Sequence, residues 1–453
     1  MRNISIQSRW AIALTVSAAT TLGTAMVLAP SGSADVVVQV VCTAPAWAEG
    51  NSYTVGQQVT YNGRLYQALQ AHTAWPGAGW NPAATPTLWK DLGACDGQPP
   101  TSSRPPSNPP SSRPPSNPPT SRPPSSPPPS IPPTGTTCPV KSRPAGKVLQ
   151  GYWENWDGAI NGVHPPLGLI PITDSRIRTH GYNVINAAFP VIRSDGTVLW
   201  EDGMDATVKV ATPTEMCQAK AAGATLLMSI GGAAAGIDLS SSAVADRFVA
   251  TIVPILKRYN FDGIDIDIET GLIGSGNINT LSASQANLIR IIDGVLAQMP
   301  SNFGLTMAPE TAYVTGGSVT YGSIWGAYLP IVKKYADNGR LWWLNMQYYN
   351  GSMYGCSGDS YSAGTVQGFQ VQTNCLNTGL VIQGTTIRVP YDKQVPGLPA
   401  QSGAGGGYMT PSLVSQSWNS VSGQVKGLMT WSINWDGSRN WTFGDNVRSL
   451  QGR

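Results

Sequence analysis

The stretch Phe261-Asp262-Gly263-Ile264-Asp265-Ile266-Asp267-Ile268-Glu269 decides how this chain is read. Side chains alternate faces along a strand. Ile264, Ile266 and Ile268 therefore share one face, and Asp265, Asp267 and Glu269 share the other, with neighbouring acids about 6.6 Å apart. Asp262 falls on the isoleucine parity and is read as structural. Isoleucine on one face calls for packing against helices. Three acids on the other face call for a cavity that uses them.

Similar apolar runs recur on both sides. They occupy 147–153, 183–189, 225–230, 304–309, 344–349 and 427–432, with a weaker one at 393–399. Helical periodicity lies between them, as in Ala245 to Val253 and Gln285 to Ala297. Strand–helix alternation over some 300 residues predicts an α/β fold with a parallel sheet, and the length suits a TIM (β/α)8 barrel. No Gly-x-Gly-x-x-Gly follows the first strand, which weakens a dinucleotide-binding reading. In a barrel the three acids rise inside toward the carboxyl-terminal mouth, where active sites of this fold sit. Burial and mutual repulsion raise their proton affinities. One proton shared between Asp265 and Asp267 is the economical state, and Glu269, nearest the mouth, is placed to act as a general acid. A divalent-metal site and an inert ion-pair network are the competing readings. A metal needs further oxygen ligands, none of which is evident nearby in sequence.

The remainder of the chain fits a secreted, carbohydrate-directed protein. Among 453 residues only 12% are charged, the net charge is +3, and there are 50 Gly, 37 Pro and 15 Trp against 6 Phe. No Lys/Arg stripe stands out, so nucleic acid is not the expected partner. A low-charge, Trp-rich surface suits sugars, whose C–H faces lie flat on aromatic rings. Residues 1–34 read as a secretory signal: Arg2 and Arg9, an apolar stretch from Trp10 to about Leu28, then small residues ending at Ala34. No later segment has about 18 uninterrupted apolar residues, so the mature form is expected to be soluble and extracellular, off the membrane and monomeric.

Residues 97–137 hold 17 Pro and 10 Ser, with Arg104, Arg113 and Arg122 nine apart. Such a tract is a semi-rigid polyproline spacer; a surface-contacting arginine stripe is the other reading. It divides a small module at 35–96 from a large one at 138–453. Six cysteines allow 15 pairings. Cys42–Cys95 is favoured because the two bracket the small module, and Cys138–Cys217 and Cys356–Cys375 follow by neighbourhood. None has zinc spacing, so neither a metal nor a cofactor is expected.

The small module should be all-β, since Asn62-Gly63 between short alternating runs is a hairpin signal. Ala46-Trp47, Tyr53-x-x-Gly56-x-x-Val59, Tyr61-Asn62-Gly63-x-x-Tyr66, His72-Thr73-Ala74-Trp75-Pro76-Gly77 and Leu88-Trp89 resemble the carbohydrate-binding modules of families 5 and 12. Trp47 and Trp89 are read as core. Trp75 and Trp80, in a Pro/Gly-rich loop, are the expected sugar-stacking rings.

The large module resembles glycoside hydrolase family 18, the chitinases. The resemblance rests on Asp-x-x-Asp-x-Asp-x-Glu at 262–269, Ser229-Ile230-Gly231-Gly232, Gln347-Tyr348-Tyr349-Asn350 and Trp431. The overall look is closest to secreted bacterial chitinases of the chitinase D type. The resemblance implies retaining, substrate-assisted cleavage of β-1,4 bonds between N-acetylglucosamine units in chitin and chito-oligosaccharides. In that scheme Glu269 protonates the leaving oxygen, Asp267 orients the substrate acetamide, Asp265 stores a proton and Tyr349 holds the acetyl oxygen. Trp431 lies under the cleaved sugar, and Gln347, Asn350 and Ser229 complete the substrate site. Gln347 and Asn350 depart from the Met and Asp that many members carry there. Trp153, Trp156, Trp325 and Trp435 are open between sugar subsites and core. A non-catalytic lectin on the same barrel, or an enzyme for N-linked glycans, are the competing functions; the intact Glu269 and the small module argue against them in turn.

Overall fold

The computed structural model describes residues 39–40, 42–48, 51–69, 72–74, 81–83, 85, 88–95, 135–156, 167–205, 208–233 and 236–453. The expected signal (1–34), nearly all of the spacer, and Trp75 and Trp80 lie outside the described residues.

In the small module a four-stranded sheet runs in the order Gln39–Val40, Trp89–Cys95, Arg64–Ala68, Gln58–Tyr61. Asn62 and Gly63 both have positive φ (47° and 73°), as a two-residue hairpin turn with the native strand twist requires. So small a sheet buries little, and its core is Tyr53, Val59, Tyr66, Ala68, Ala74 and Trp89. Trp89 is core as expected. Trp47 is only half-buried, its ring edge-on to Tyr61 at 5.2 Å, because the hairpin tip offers cover on one side alone. Cys42 is bonded to Cys95.

Eight parallel strands build the large module: β1 Val148–Glu154, β2 Val184–Ala188, β3 Thr225–Gly231, β4 Gly263–Asp267, β5 Gly304–Met307, β6 Trp343–Leu344, β7 Gly397–Pro399 and β8 Gly427–Trp431. They pair in chain order, with β8 beside β1. The β6–β7 seam closes through Gly397 N–H to Met346 O (2.8 Å) and Tyr348 N–H to Gly397 O (2.9 Å). β7 is short, three residues of the expected 393–399, with Gln394 joining only as an isolated bridge.

Nine helices surround or cap the described barrel: α1 Ser175–Thr179, α2 Pro213–Ala221, α3 Ser242–Arg258, α4 Ala283–Leu296, α5 Leu329–Asp337, α6 Val366–Thr378, α7 Pro411–Ser420, α8 Ile433–Gly437 and α9 Thr442–Leu450. α3 buries Ala245, Phe248, Val249, Ile252, Val253 and Leu256, one stripe at helical spacing. The isoleucines of β4 belong to that helix-facing core. Val148, Tyr152, Val184, Leu227, Trp343 and Met429 fill the barrel interior.

Asp262 is structural, as its parity implied. It is fully buried, forms a 2.7 Å ion pair with Lys220 of α2, and accepts the N–H groups of Lys141 and Leu226. Just before the expected start of the large module, Thr136 O accepts Asn260 Nδ2 at 2.9 Å. Cys138 is bonded to Cys217 on α2, and Cys356 to Cys375 on α6.

Candidate active site

Parallel pairing brings Ser229 beside Asp265, Gly231 beside Asp267 and Asp265 beside Thr306. The inward acids of β4 therefore face the inward side chains of both neighbouring strands. At Gly231 a Cβ would stand 2.2 Å from Asp267 O, and φ is +110°, so glycine is required where the backbones converge. Gly232 N–H then donates to that carbonyl at 2.7 Å. Beyond the strand, Tyr328 OH binds the backbone of Ile268 and Tyr313 OH donates to Glu269 O at 2.8 Å. Two phenols from the β5–β6 connection thus fix the backbone that carries Glu269.

Asp265 is completely buried and saturated. Its Oδ1 accepts Thr306 Oγ1 (2.5 Å) and Asn345 Nδ2 (3.0 Å), and its Oδ2 accepts Tyr152 OH and Ser229 Oγ (both 2.8 Å). Burial pushes its carboxyl up, and those four donors oppose the rise. Asp267 is 3% exposed and is pushed up well above the carboxylate range by burial first, then by the charges of Glu269 and Asp265. Glu269 is half-exposed at the mouth. Burial of its carboxyl raises it too, against hydrogen bonds with Gln347 and Asp267. Gln347 Nε2 bridges the pair, 3.0 Å from Asp267 Oδ1 and 2.9 Å from Glu269 Oε1. All three acids are thus raised by burial, and Gln347 joins Asp267 to Glu269 while Asp265 has its own set of donors. Hydroxyl and amide donors from four other strands or strand ends occupy both oxygens of Asp265. Among the described residues no lysine or arginine forms an ion pair with any of the three acids.

Tyr349 is buried, and burial together with the charges of Asp267, Glu269 and Glu310 holds its phenol protonated. Trp431, at the end of β8, is half-buried. Its ring lies nearly parallel to Phe189 (6.0 Å, 17°) and near Tyr152 (5.4 Å) and Trp156 (6.1 Å). These rings make an aromatic floor beside the acids.

Ser229 and Asn350, both expected at the substrate, hydrogen-bond within the protein, and Asn350 remains exposed. Ser229 is fully buried with its hydroxyl on Asp265, so it holds a carboxylate instead of facing the opening. Asn350, with φ of 62°, trades hydrogen bonds with Gly406: its N–H donates to Gly406 O and its Oδ1 accepts Gly406 N–H, both at 2.8 Å. It ties the chain after β6 to the loop at Gly406. Of the four undecided tryptophans, Trp153 is core, with Nε1 donating to Ile170 O at 2.8 Å. Trp435 packs on the core, Trp325 lies edge-on to Tyr354, and Trp156 joins the floor.

Sequence reading missed Glu310 and Phe189. Glu310 follows β5 and bridges the backbone of Gln347; burial and the Glu269 charge push its carboxyl to about 8. It lay outside any alternating run, so no parity signal marked it.

A closed parallel barrel with two acids bridged by one amide at its carboxyl mouth defines an acid–base hydrolase of the (β/α)8 class. Residues 148–321 match the family described as glycosyl hydrolases family 18, and residues 46–90 match carbohydrate-binding module family 5/12. Endochitinase 4 of Metarhizium robertsii is 82% identical over 312 residues, 69% of this chain and 90% of that protein. Chitinase D of Niallia circulans is 30% identical, across 89% of this chain and 91% of that one. A family 18 chitinase structure from Chromobacterium violaceum superposes with a TM-score of 0.58 at 28% identity, covering 91% of this chain and all of that one. The chain belongs to glycosyl hydrolase family 18. The expected bacterial, chitinase D-like kinship is corrected by these values: the 82% relative is fungal, and the bacterial chitinase D stands far behind it.

Proposed function

We propose that this protein is a secreted chitinase that cleaves β-1,4 bonds between N-acetylglucosamine units with retention. The observation that carries the reading is the Asp267–Glu269 pair, joined through Gln347 at the barrel mouth beside the Trp431 floor. Burial raises the proton affinity of both acids, and a proton retained on Glu269 is what a general acid needs near neutral pH.

The Glu269 proton passes to the glycosidic oxygen as the C1–O bond breaks. The acetamido oxygen of the same sugar closes on C1, giving an oxazolinium ion. Substrate assistance of this kind makes the family an exception to the two-carboxylate scheme. An intramolecular nucleophile has a large effective molarity, and Asp267, accepting the acetamido N–H, stabilises the cation. Asp265, fixed by its four donors, keeps Asp267 in register, and Tyr349 OH donates to the acetyl oxygen. Water then attacks C1 on the face of the departed sugar, giving its proton to Glu269 carboxylate. Trp431 carries the sugar ring by stacking. The small module holds the enzyme on insoluble polymer, with Trp75 and Trp80 as its stacking rings, and residues 1–34 direct export.

Glu269→Gln tests the reading. Hydrolysis of soluble chitin oligomers should fall by at least three orders of magnitude with folding intact. Turnover near the parent value would overturn it.

A further inference from the structure

Two consecutive residues at the end of β1, Glu154 and Asn155, touch the neighbouring strands on both sides. Glu154 is fully buried. Its carboxyl accepts the Ser432 hydroxyl, its N–H donates to Asn434 Oδ1 at 3.0 Å, and its carbonyl accepts Asn434 Nδ2 at 3.4 Å. Ser432 is the residue after Trp431 and also caps α8, accepting Trp435 N–H at 3.2 Å. Asn155 works on the other side. Its Nδ2 donates to Phe189 O at 3.0 Å, its Oδ1 accepts Phe189 N–H at 3.2 Å, and its own N–H donates to Ala188 O at 2.9 Å. The two rings so anchored, Trp431 and Phe189, are the nearly parallel pair of the floor, and Trp156 stacks on Phe189 at 6.4 Å and 17°.

We infer that Glu154 and Asn155 are positioning residues for the reaction: Glu154 sets the backbone that aims Trp431, and Asn155 sets the backbone that aims Phe189, so that the two rings keep their nearly parallel setting and Trp431 its face toward the sugar. The inference rests on the proposed chitinase reading. Stacking rewards parallel contact over the whole ring, and it falls steeply when a ring tilts. Displacements of about 1 Å remote from the reacting atoms cost on the order of 100-fold in rate. A buried acid suits the task because burial raises the proton affinity of Glu154, which favours an uncharged carboxyl in the core. The same reasoning makes glutamine its fair substitute.

The test compares Glu154→Ala, Glu154→Gln and Ser432→Ala in the full chain, with kcat and KM measured on soluble chito-oligosaccharides and oligosaccharide affinity measured in the Glu269→Gln background. Expected is a ten-fold or greater fall in kcat/KM for Glu154→Ala and Ser432→Ala, with weakened affinity, and recovery to within three-fold in Glu154→Gln. Ser432→Ala reads the same contact from the other side should Glu154→Ala fail to fold. Folded variants with parental kcat/KM and affinity would overturn the inference, as would a Glu154→Gln variant no better than alanine. A parent chain without chitinase activity would instead defeat the parent reading, so the two failures are distinguishable.

Discussion

The Gln347 side-chain amide donates to Glu269 at 2.9 Å, reaching across from the end of β6 to the end of β4. The same nitrogen serves Asp267 and Ala308 O at 3.0 Å. It thus reaches both acids, at a position where many family members carry Met.

Replacing it by Met should move the pH profile in a definite direction. Donation to a carboxylate favours the charged form, so Gln347 opposes the rise that burial causes in both acids. Without it the proton affinity of Glu269 increases. A general acid must hold its proton, and activity is lost as pH rises through its pKa. The basic limb of kcat in Gln347→Met should therefore shift to higher pH, in profiles measured on a soluble oligomer. A limb that stays in place or moves lower contradicts the role given to the amide.

Stability should depend sharply on Lys220. Its ammonium is buried against Asp262, and removing one partner of a buried pair strands the other charge. Lys220→Met should cost about 3–5 kcal/mol in denaturant unfolding. Turnover per folded molecule should be preserved, because Asp262 faces the helices and not the cavity. A loss under about 1 kcal/mol would show the pair to be dispensable.

Trp153 and Trp431 sit on adjacent strands but should fail differently. Trp153 is core, so Trp153→Ala should lower stability by about 3–5 kcal/mol. Trp431→Ala should instead lower kcat/KM on soluble oligomers by roughly 100-fold with a small change in melting temperature, as expected for a lost stacking surface. Kinetics and thermal melts on both variants decide the matter.

The small module should be separable. Deleting residues 35–97 should reduce binding to insoluble chitin and spare activity on soluble oligomers, as pull-down and turnover assays would show. Equal retention on insoluble chitin with and without the module would remove its proposed role.

Local periodicity was enough to read part of this molecule before any contact was known. Alternation along 261–269 separated Asp262 from Asp265, Asp267 and Glu269, and Asn62-Gly63 marked a hairpin whose two residues do take positive φ. Those are properties of a short length of chain, set by backbone geometry and steric limits. The partners that each acid finds are of another kind. Asp265 meets Tyr152, Ser229, Thr306 and Asn345, which stand 113, 36, 41 and 80 residues away in sequence. Only strand register and closure of the barrel bring those donors to one carboxylate and leave Asp267 to Glu269. The same closure placed Phe189 beside Trp431 and Ser229 against Asp265. Sequence by itself determined which side chains share a face; tertiary structure decided which partners each face would find, because hydrogen bonds between strands depend on register across the whole ring.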